Sequence, residues 1–420
     1  MERKCKKNML QSSEHQEIEQ YLREEMPFYL DMLRQMVEIN SFTSNPSGVD
    51  RLGKLTAEFF TELGFTAEFV RPDDAMFGHH LVLTREGTGS HKIGFVSHLD
   101  TVFSPSDEKQ NDFRWREVGE RIYGPGTIDI KGGTVVMYMV LDVLSKIAPD
   151  LFNETTWVLL LDSAEEVDGR DFGRLCIERL QGEETLGCFI FEAGYIDSER
   201  AHVVVARKGM ATYRVEVEGR AAHAGSAHEN GANAIVQMAE LVQRIASFTD
   251  YERELTFNVG TVAGGSVVNR VPHFASASVE MRAYDEEAYE HGLAQMLALP
   301  QEARVASPNG DFACRVNVEV TRRTAPWPHN KGTNSLFAIW QEAGAELGLE
   351  IVPEERGGLS DGNFFWDVVP SLDALGPSGG NAHCSERSED GSKDQEYLRR
   401  DSLVEKSLLN TVALLKLLRR

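Results

Sequence analysis

IGFVSHLDT, residues 93–101, runs apolar as far as Val96 and then turns to Ser97, His98, Asp100 and Thr101. A short, continuous apolar run marks a strand buried on both faces, the kind found in parallel sheets covered by helices. Two further runs behave alike. Trp157–Leu161 leads into Asp162-Ser163-Ala164-Glu165-Glu166, and Cys188–Phe191 ends in Glu192-Ala193-Gly194. A helical pattern from about Thr134 to Leu144 separates the first two runs. This predicts an α/β fold whose strands end in residues of metal-ligand type, at the sheet edge where such folds place their sites.

Upstream, apolar positions Tyr21, Met26, Tyr29, Leu30, Leu33 and Val37 recur near helical spacing between Glu14 and Ile39, and Leu52–Leu63 reads as a second amphipathic helix. Downstream the pattern changes near residue 207. Tyr213, Val215 and Val217 alternate with Arg214, Glu216 and Glu218, and Ala277, Val279 and Met281 alternate with Ser278, Glu280 and Arg282. Strict alternation means half-exposed antiparallel strands. Between them a helix carries Ile235, Met238, Val242 and Ile245 on one side. Helical patterns resume at Asn334–Leu347 and Leu403–Leu418. The expected organisation is a catalytic domain in two segments, 1–206 and 324–420, interrupted by a smaller α+β domain at 207–323.

A chain of 420 residues suits two domains. Its net charge of −23 argues against nucleic acid or an anionic membrane surface as partner. The first residues, MERKCKKNMLQSSEHQ, are basic with no apolar stretch behind them, so no signal peptide is expected. No run of about 18 apolar residues predicts a membrane span. Cys5, Cys176, Cys188, Cys314 and Cys384 show no zinc-ribbon spacing. Scattered thiols of this kind suit the reducing cytoplasm.

His98 and Asp100 stand two apart, so in a strand they point the same way and can share one site. A carboxylate beside a ligating histidine fixes its tautomer and raises its basicity; taken alone, this pair is a weak signal and reads more readily as an ordinary surface pair. YGPGTIDIKGG, residues 123–133, surrounds Asp129 with glycines, implying tight turns and a close approach. It lacks phosphate-loop spacing, and its acid would repel a phosphate. Adjacent Glu165 and Glu166 directly after an apolar strand are unusual, as is His383 after the glycine-rich stretch from 376.

In order, SHLDTVF (97–103), YGPGTIDIKGG (123–133), DSAEEVDG (162–169), FEAG (191–194), GRAAHAG (219–225), GGLSDGN (357–363) and GPSGGNAH (376–383) resemble the dinuclear-zinc exopeptidase family. That family includes glutamate carboxypeptidase, succinyl-diaminopimelate desuccinylase, acetylornithine deacetylase and aminoacylase. The resemblance implies an α/β catalytic domain interrupted by a lid domain that also dimerises. It places first-metal ligands on His98 and Glu192, the bridging ligand on Asp129, and second-metal ligands on Glu166 and His383. It makes Glu165 the general base and Asp100 the acid that orients His98, with a cis peptide after Asp129. His223 is expected to reach a partner's active site, and Arg207, Asn269, Arg282, Gly358 and Ser360 to contact substrate, with Arg323 matching loosely.

Mixed histidine and carboxylate ligation suits two Zn²⁺, with Co²⁺ or Mn²⁺ as substitutes. Two such ions supply a hydroxide nucleophile and polarise the scissile carbonyl. The implied activity is hydrolysis of an amide bond beside a free carboxylate, of the glutamate carboxypeptidase kind. An N-acyl-amino-acid deacylase or dipeptidase would use the same residues, and the substrate is then a small peptide or N-acyl amino acid. A non-catalytic descendant is disfavoured because Glu165 accompanies the full ligand set. The sequence departs from relatives at Leu359, where many have threonine, and in the long stretch 385–395.

Overall fold

The computed structural model describes residues 12–420, so Cys5 and the basic first residues lie outside it. The chain divides into two compact units. One comprises the residues up to Val205 with His329–Glu355 and Ser360–Arg420; the other comprises Ala206–Pro328 with Arg356–Leu359.

The first unit is built on a six-stranded sheet in the order Thr66–Val70, His80–Arg85, Thr156–Asp162, Lys92–His98, Thr185–Ile190, Ser371–Leu372. The strand Lys92–His98 lies between two parallel neighbours, and Ser371–Leu372 extends that parallel portion. Only the first two strands run antiparallel to their neighbours. The mostly parallel α/β sheet expected from the apolar runs is therefore present, and its central strands are buried along nearly their whole length. The helix Lys131–Ile147 is buried at every residue through Leu144, and the helix Arg400–Leu418 packs against it.

Two helical boundaries differ from the periodicity reading. The run from Glu14 to Ile39 forms two helices, Ser13–Glu24 and Met26–Val37, because Pro27 occupies the first turn of the second, where its missing N–H costs nothing. The next helix starts earlier than Leu52. It spans Pro46–Thr61, with Asn45 accepting from the Gly48 N–H as its N-cap.

The second unit carries a four-stranded antiparallel sheet in the order Thr256–Gly264, Phe274–Ala283, Gly209–Glu218, Arg315–Thr324. Val215 stands opposite Ala277 and Val318, and the alternating apolar residues form one buried face. The helix Ala234–Ala246 contributes Met238, Leu241 and Ile245 to that core. Its apolar stripe is turned by about one residue from expectation, so Leu241 replaces Val242 in the core and Ile235 is 41% exposed. Among the described residues no helix is long and apolar enough to cross a membrane.

Candidate active site

His98 is the last residue of its strand, and Glu165, Glu166 and Glu192 follow the ends of the two neighbouring parallel strands. Asp129 reaches them from the glycine-rich turn. Gly126 there has φ +76°, a conformation that side-chain-bearing residues rarely adopt. A Cβ on Gly133 would stand 2.1 Å from the Phe191 carbonyl oxygen. Only glycine lets this helix start approach the strand end that carries Glu192. The Asp129–Ile130 peptide bond is cis, as the resemblance implies.

The centre of the arrangement is Asp129. Its Oδ1 lies 3.0 Å from His98 Nε2, and its Oδ2 lies 3.1 Å from His383 Nε2. His98 Nε2 is also 3.8 Å from Glu192 Oε1, and His383 Nε2 is 3.4 Å from Glu166 Oε1. Two groups of ligand atoms result, His98–Asp129–Glu192 and Asp129–Glu166–His383, each with its atoms within 4.8 Å of one another. Asp129 belongs to both.

The donor set fits a pair of cations. His98 Nδ1 faces the Asp100 carbonyl oxygen at 3.0 Å and Asp100 Oδ1 at 3.3 Å. A proton on Nδ1 satisfies those acceptors and aims the Nε2 lone pair at Asp129 Oδ1, so a proton or a cation must lie between them. Glu166 Oε1 is buried, and its one close polar neighbour is His383 Nε2 at 3.4 Å, so a cation between them would complete its coordination.

The electrostatics agree. Burial pulls the His98 imidazole down, but hydrogen bonds with Asp100 and Asp129 outweigh it and hold the group well above its usual range. Hydrogen bonds with Asp129 and Glu166 push His383 up to about 11. Burial pushes the Glu165 carboxyl well above the carboxylate range; His98 opposes this, while Glu192, Glu166 and Asp129 add to it. Crowded carboxylates that resist ionisation are what a divalent pair relieves.

Asp100 does more than orient His98. Its Oδ1 accepts from the Glu165 N–H at 3.2 Å, and its Oδ2 accepts from the Glu166 N–H at 3.4 Å and from the Thr43 hydroxyl at 2.6 Å. One buried carboxylate thus ties the His98 strand to the paired glutamates. Behind them His80 lies buried between Asp162, 3.1 Å from Nδ1, and Asp171, 3.3 Å from Nε2. Burial opposes its charge, but hydrogen bonds to the two acids raise it to about 9.

Two supporting residues escaped the sequence reading. Thr43 carries no motif. Glu396 is fully buried and accepts from the N–H groups of Ile128 and His383; it sits in a run of polar and acidic residues, where one more acid gives no contrast.

In the other unit, His223 Nδ1 accepts from the N–H groups of Gly225 and Ser226, both at 3.1 Å. That fixes the tautomer with its proton on Nε2, pointing a donor away from the loop. Asn269 lies beside it, its carbonyl accepting from the Ala224 N–H at 3.0 Å. Arg282 does not join them. The strand Phe274–Ala283 separates the two, and its rise puts roughly 25 Å between Phe274 and Arg282. The structure therefore brings Asn269 together with His223, not with Arg282.

Arg282 forms a paired contact with Glu280 (Nε to Oε1 at 2.7 Å, Nη2 to Oε2 at 3.3 Å) and donates from Nη1 to the Gly357 carbonyl at 2.6 Å. The alternation already put Glu280 and Arg282 on one face. Arg207 is buried and donates from Nη1 to the carbonyls of Gly358 and Leu359 at 3.1 and 2.9 Å. Ser360 is buried, with its hydroxyl donating to Asp373 at 2.9 Å. Arg323 pairs with Glu290. The stretch 385–395 is anchored by Gln395, which donates to the carbonyls of Asn111 and Ser385.

Residues 205–306 match the family model of a peptidase dimerisation domain. Carboxypeptidase G2 from Pseudomonas sp. strain RS-16 is 27% identical over 365 residues, spanning 86% of this chain and 84% of that protein. Acetylornithine deacetylase from Buchnera aphidicola is 23% identical over 277 residues, 61% of this chain and 68% of that protein. The crystal structure of aminopeptidase PepT from Bacillus cereus superposes with a TM-score of 0.73 at 23% identity, covering 94% of this chain and 99% of that one. This last likeness is one of fold.

Proposed function

We propose that the chain is a member of the M20 family of exopeptidases and deacylases, and that it is a two-zinc carboxypeptidase cutting an amide bond beside a free carboxylate. The observation that carries this reading is the sharing of Asp129 between two ligand groups. The ligands are His98, Asp129 and Glu192 for one ion, and Asp129, Glu166 and His383 for the other. Ions held there would supply the Lewis acidity that amide hydrolysis near neutral pH needs.

The chain's own residues do the remainder. Glu165 takes the proton from the attacking water and delivers it to the leaving amine. Its half-buried side chain stays beside the ligands because Asp100 fixes its backbone N–H. Glu166, its neighbour, serves as ligand instead, so the pair divides its work. His223 offers an Nε2–H to the carbonyl oxygen as charge develops on it, and Asn269, being beside His223, works with it in the partner's site.

Arg282 binds the substrate carboxylate through the guanidinium N–H groups that Glu280 and the Gly357 carbonyl do not take. Arg207 and Ser360 then act through the backbone of Gly358 and Leu359 and through the buried loop that follows. The chain works as a homodimer joined through its second unit. Supporting this, the edge strand Thr256–Gly264 and the loop after it leave residues 260–270 exposed, including Val262, Val267 and Val268, with Ile235 and Val236 exposed nearby. Cys176, Cys188, Cys314 and Cys384 are free thiols, which suits the cytoplasm.

An N-acyl-amino-acid deacylase is the second reading, favoured by the similarity to acetylornithine deacetylase. Both readings require the same metals. Elemental analysis of the purified, zinc-reloaded protein tests them: about two zinc ions per chain are expected. A content that never rises above trace removes the proposal.

A further inference from the structure

His383 is an unusual place for a metal ligand. Its side chain is 51% exposed, so packing does not hold the imidazole. Its backbone has φ +66°, and Asn381 two residues before has φ +59°; residues with side chains rarely adopt this conformation without help. Whatever fixes that backbone therefore fixes the ligand.

Glu396 is the group that does so. Its carboxylate is fully buried. Oε2 accepts from the His383 N–H at 3.3 Å, and Oε1 accepts from the Ile128 N–H at 3.1 Å. The neighbouring Asp129 N–H adds a further bond. One side chain thus ties together the backbones of two ligand residues, Asp129 and His383, that stand 254 positions apart in sequence. A carboxyl side chain suits the task because it offers two oxygens to these N–H groups, whereas an amide would turn an NH₂ donor toward one of them.

Glu396 is itself held in place. Its N–H donates to the Cys384 carbonyl at 2.8 Å, and the next residue, Tyr397, pairs with Tyr123 in an antiparallel ladder. Residues 385–395 accordingly leave and return to one point, and their length does not shift His383.

We propose that Glu396 is a positioning residue for the second metal: by spanning the Ile128–Asp129 and His383 backbones, it sets the gap between Asp129 and His383 before any ion arrives. This rests on the reading that Asp129, Glu166 and His383 hold that ion. The first ion, on His98, Asp129 and Glu192, depends on Glu396 far less, because His98 is fixed through Asp100.

The test is a zinc titration of metal-stripped native protein, Glu396→Gln and Glu396→Ala by chelator competition. Each metal-free protein's melting temperature is recorded alongside. Glu396→Gln is isosteric and is the variant that keeps the fold. Native protein should take two ions. Both variants should keep the first affinity and lose about 10–100-fold in the second, the usual effect of removing a partner of a ligand. A second affinity unchanged in folded Glu396→Gln overturns the proposal, as does an equal loss at both sites, which would mark a general loosening. Native protein that takes a single ion overturns the two-metal reading and this proposal with it.

Discussion

Glu165 and Glu166 are the sharpest residue-level contrast in the chain. Glu166 faces His383 and Asp129 and is proposed as a ligand, while its neighbour Glu165 is half-buried beside them and is proposed as the base. Glu165→Ala should lower turnover roughly 10²–10⁴-fold while the zinc content stays native. Glu166→Ala should lose zinc, and equal metal loss in both variants would show that the roles are misassigned. Arg282 belongs to this scale as well. A hydrogen bond to a charged group contributes about 1.5–3 kcal/mol, so Arg282→Ala should cost roughly tenfold to a few hundredfold in kcat/KM. Arg282→Lys keeps the charge without the fork and should recover only part of that loss. Full activity in the alanine variant would exclude Arg282 from substrate binding. The proposed ligand residues were legible because each breaks a local pattern: an acid or histidine directly after an apolar strand, or inside a cluster of glycines. Glu396 was not, because among Glu386, Glu389, Asp390 and Asp394 another acid breaks nothing.

At the scale of elements, the buried runs Ile93–Val96, Trp157–Leu161 and Cys188–Phe191 were readable as strands because both faces of each are covered, which leaves an uninterrupted apolar signature. What periodicity could not supply was distance. Asn269 and Arg282 sit thirteen residues apart, a separation that means one thing in a helix and roughly 25 Å or more along a strand. Helix boundaries moved for a related reason: Pro27 and Asn45 act through backbone donors, which apolar spacing does not register. The strand ends also carry a pH signature through His80. A histidine held at about 9 between Asp162 and Asp171 stabilises the fold fully below the free value of about 6.5 and ceases to do so as pH climbs through 9. At saturating zinc, the melting temperature of native protein should therefore fall between pH 6.5 and 9 more steeply than that of His80→Gln. Parallel profiles across that window would mean that His80 is not held as its charged form.

For the whole molecule, the change from buried runs to alternating strands near residue 207 made the second unit readable, and its return at residues 356–359 was not, since four residues carry no periodicity. His223 and Asn269 of one chain are proposed to work in the active site of another. Mixing inactive Glu165→Ala with inactive His223→Ala under subunit exchange should restore up to about a quarter of native activity, because each mixed dimer holds one complete site. A fully active monomer would refute the exchange of residues between chains. The central claim is narrower: the enzyme cuts an amide bond beside a free carboxylate. It is tested most directly by comparing kcat/KM of the zinc-loaded protein on one N-acyl amino acid or dipeptide as the free acid and as its C-terminal amide. The free acid should be cleaved at least tenfold faster, and Arg282→Ala should erase most of that difference. Equal cleavage of acid and amide by native enzyme would contradict the claim.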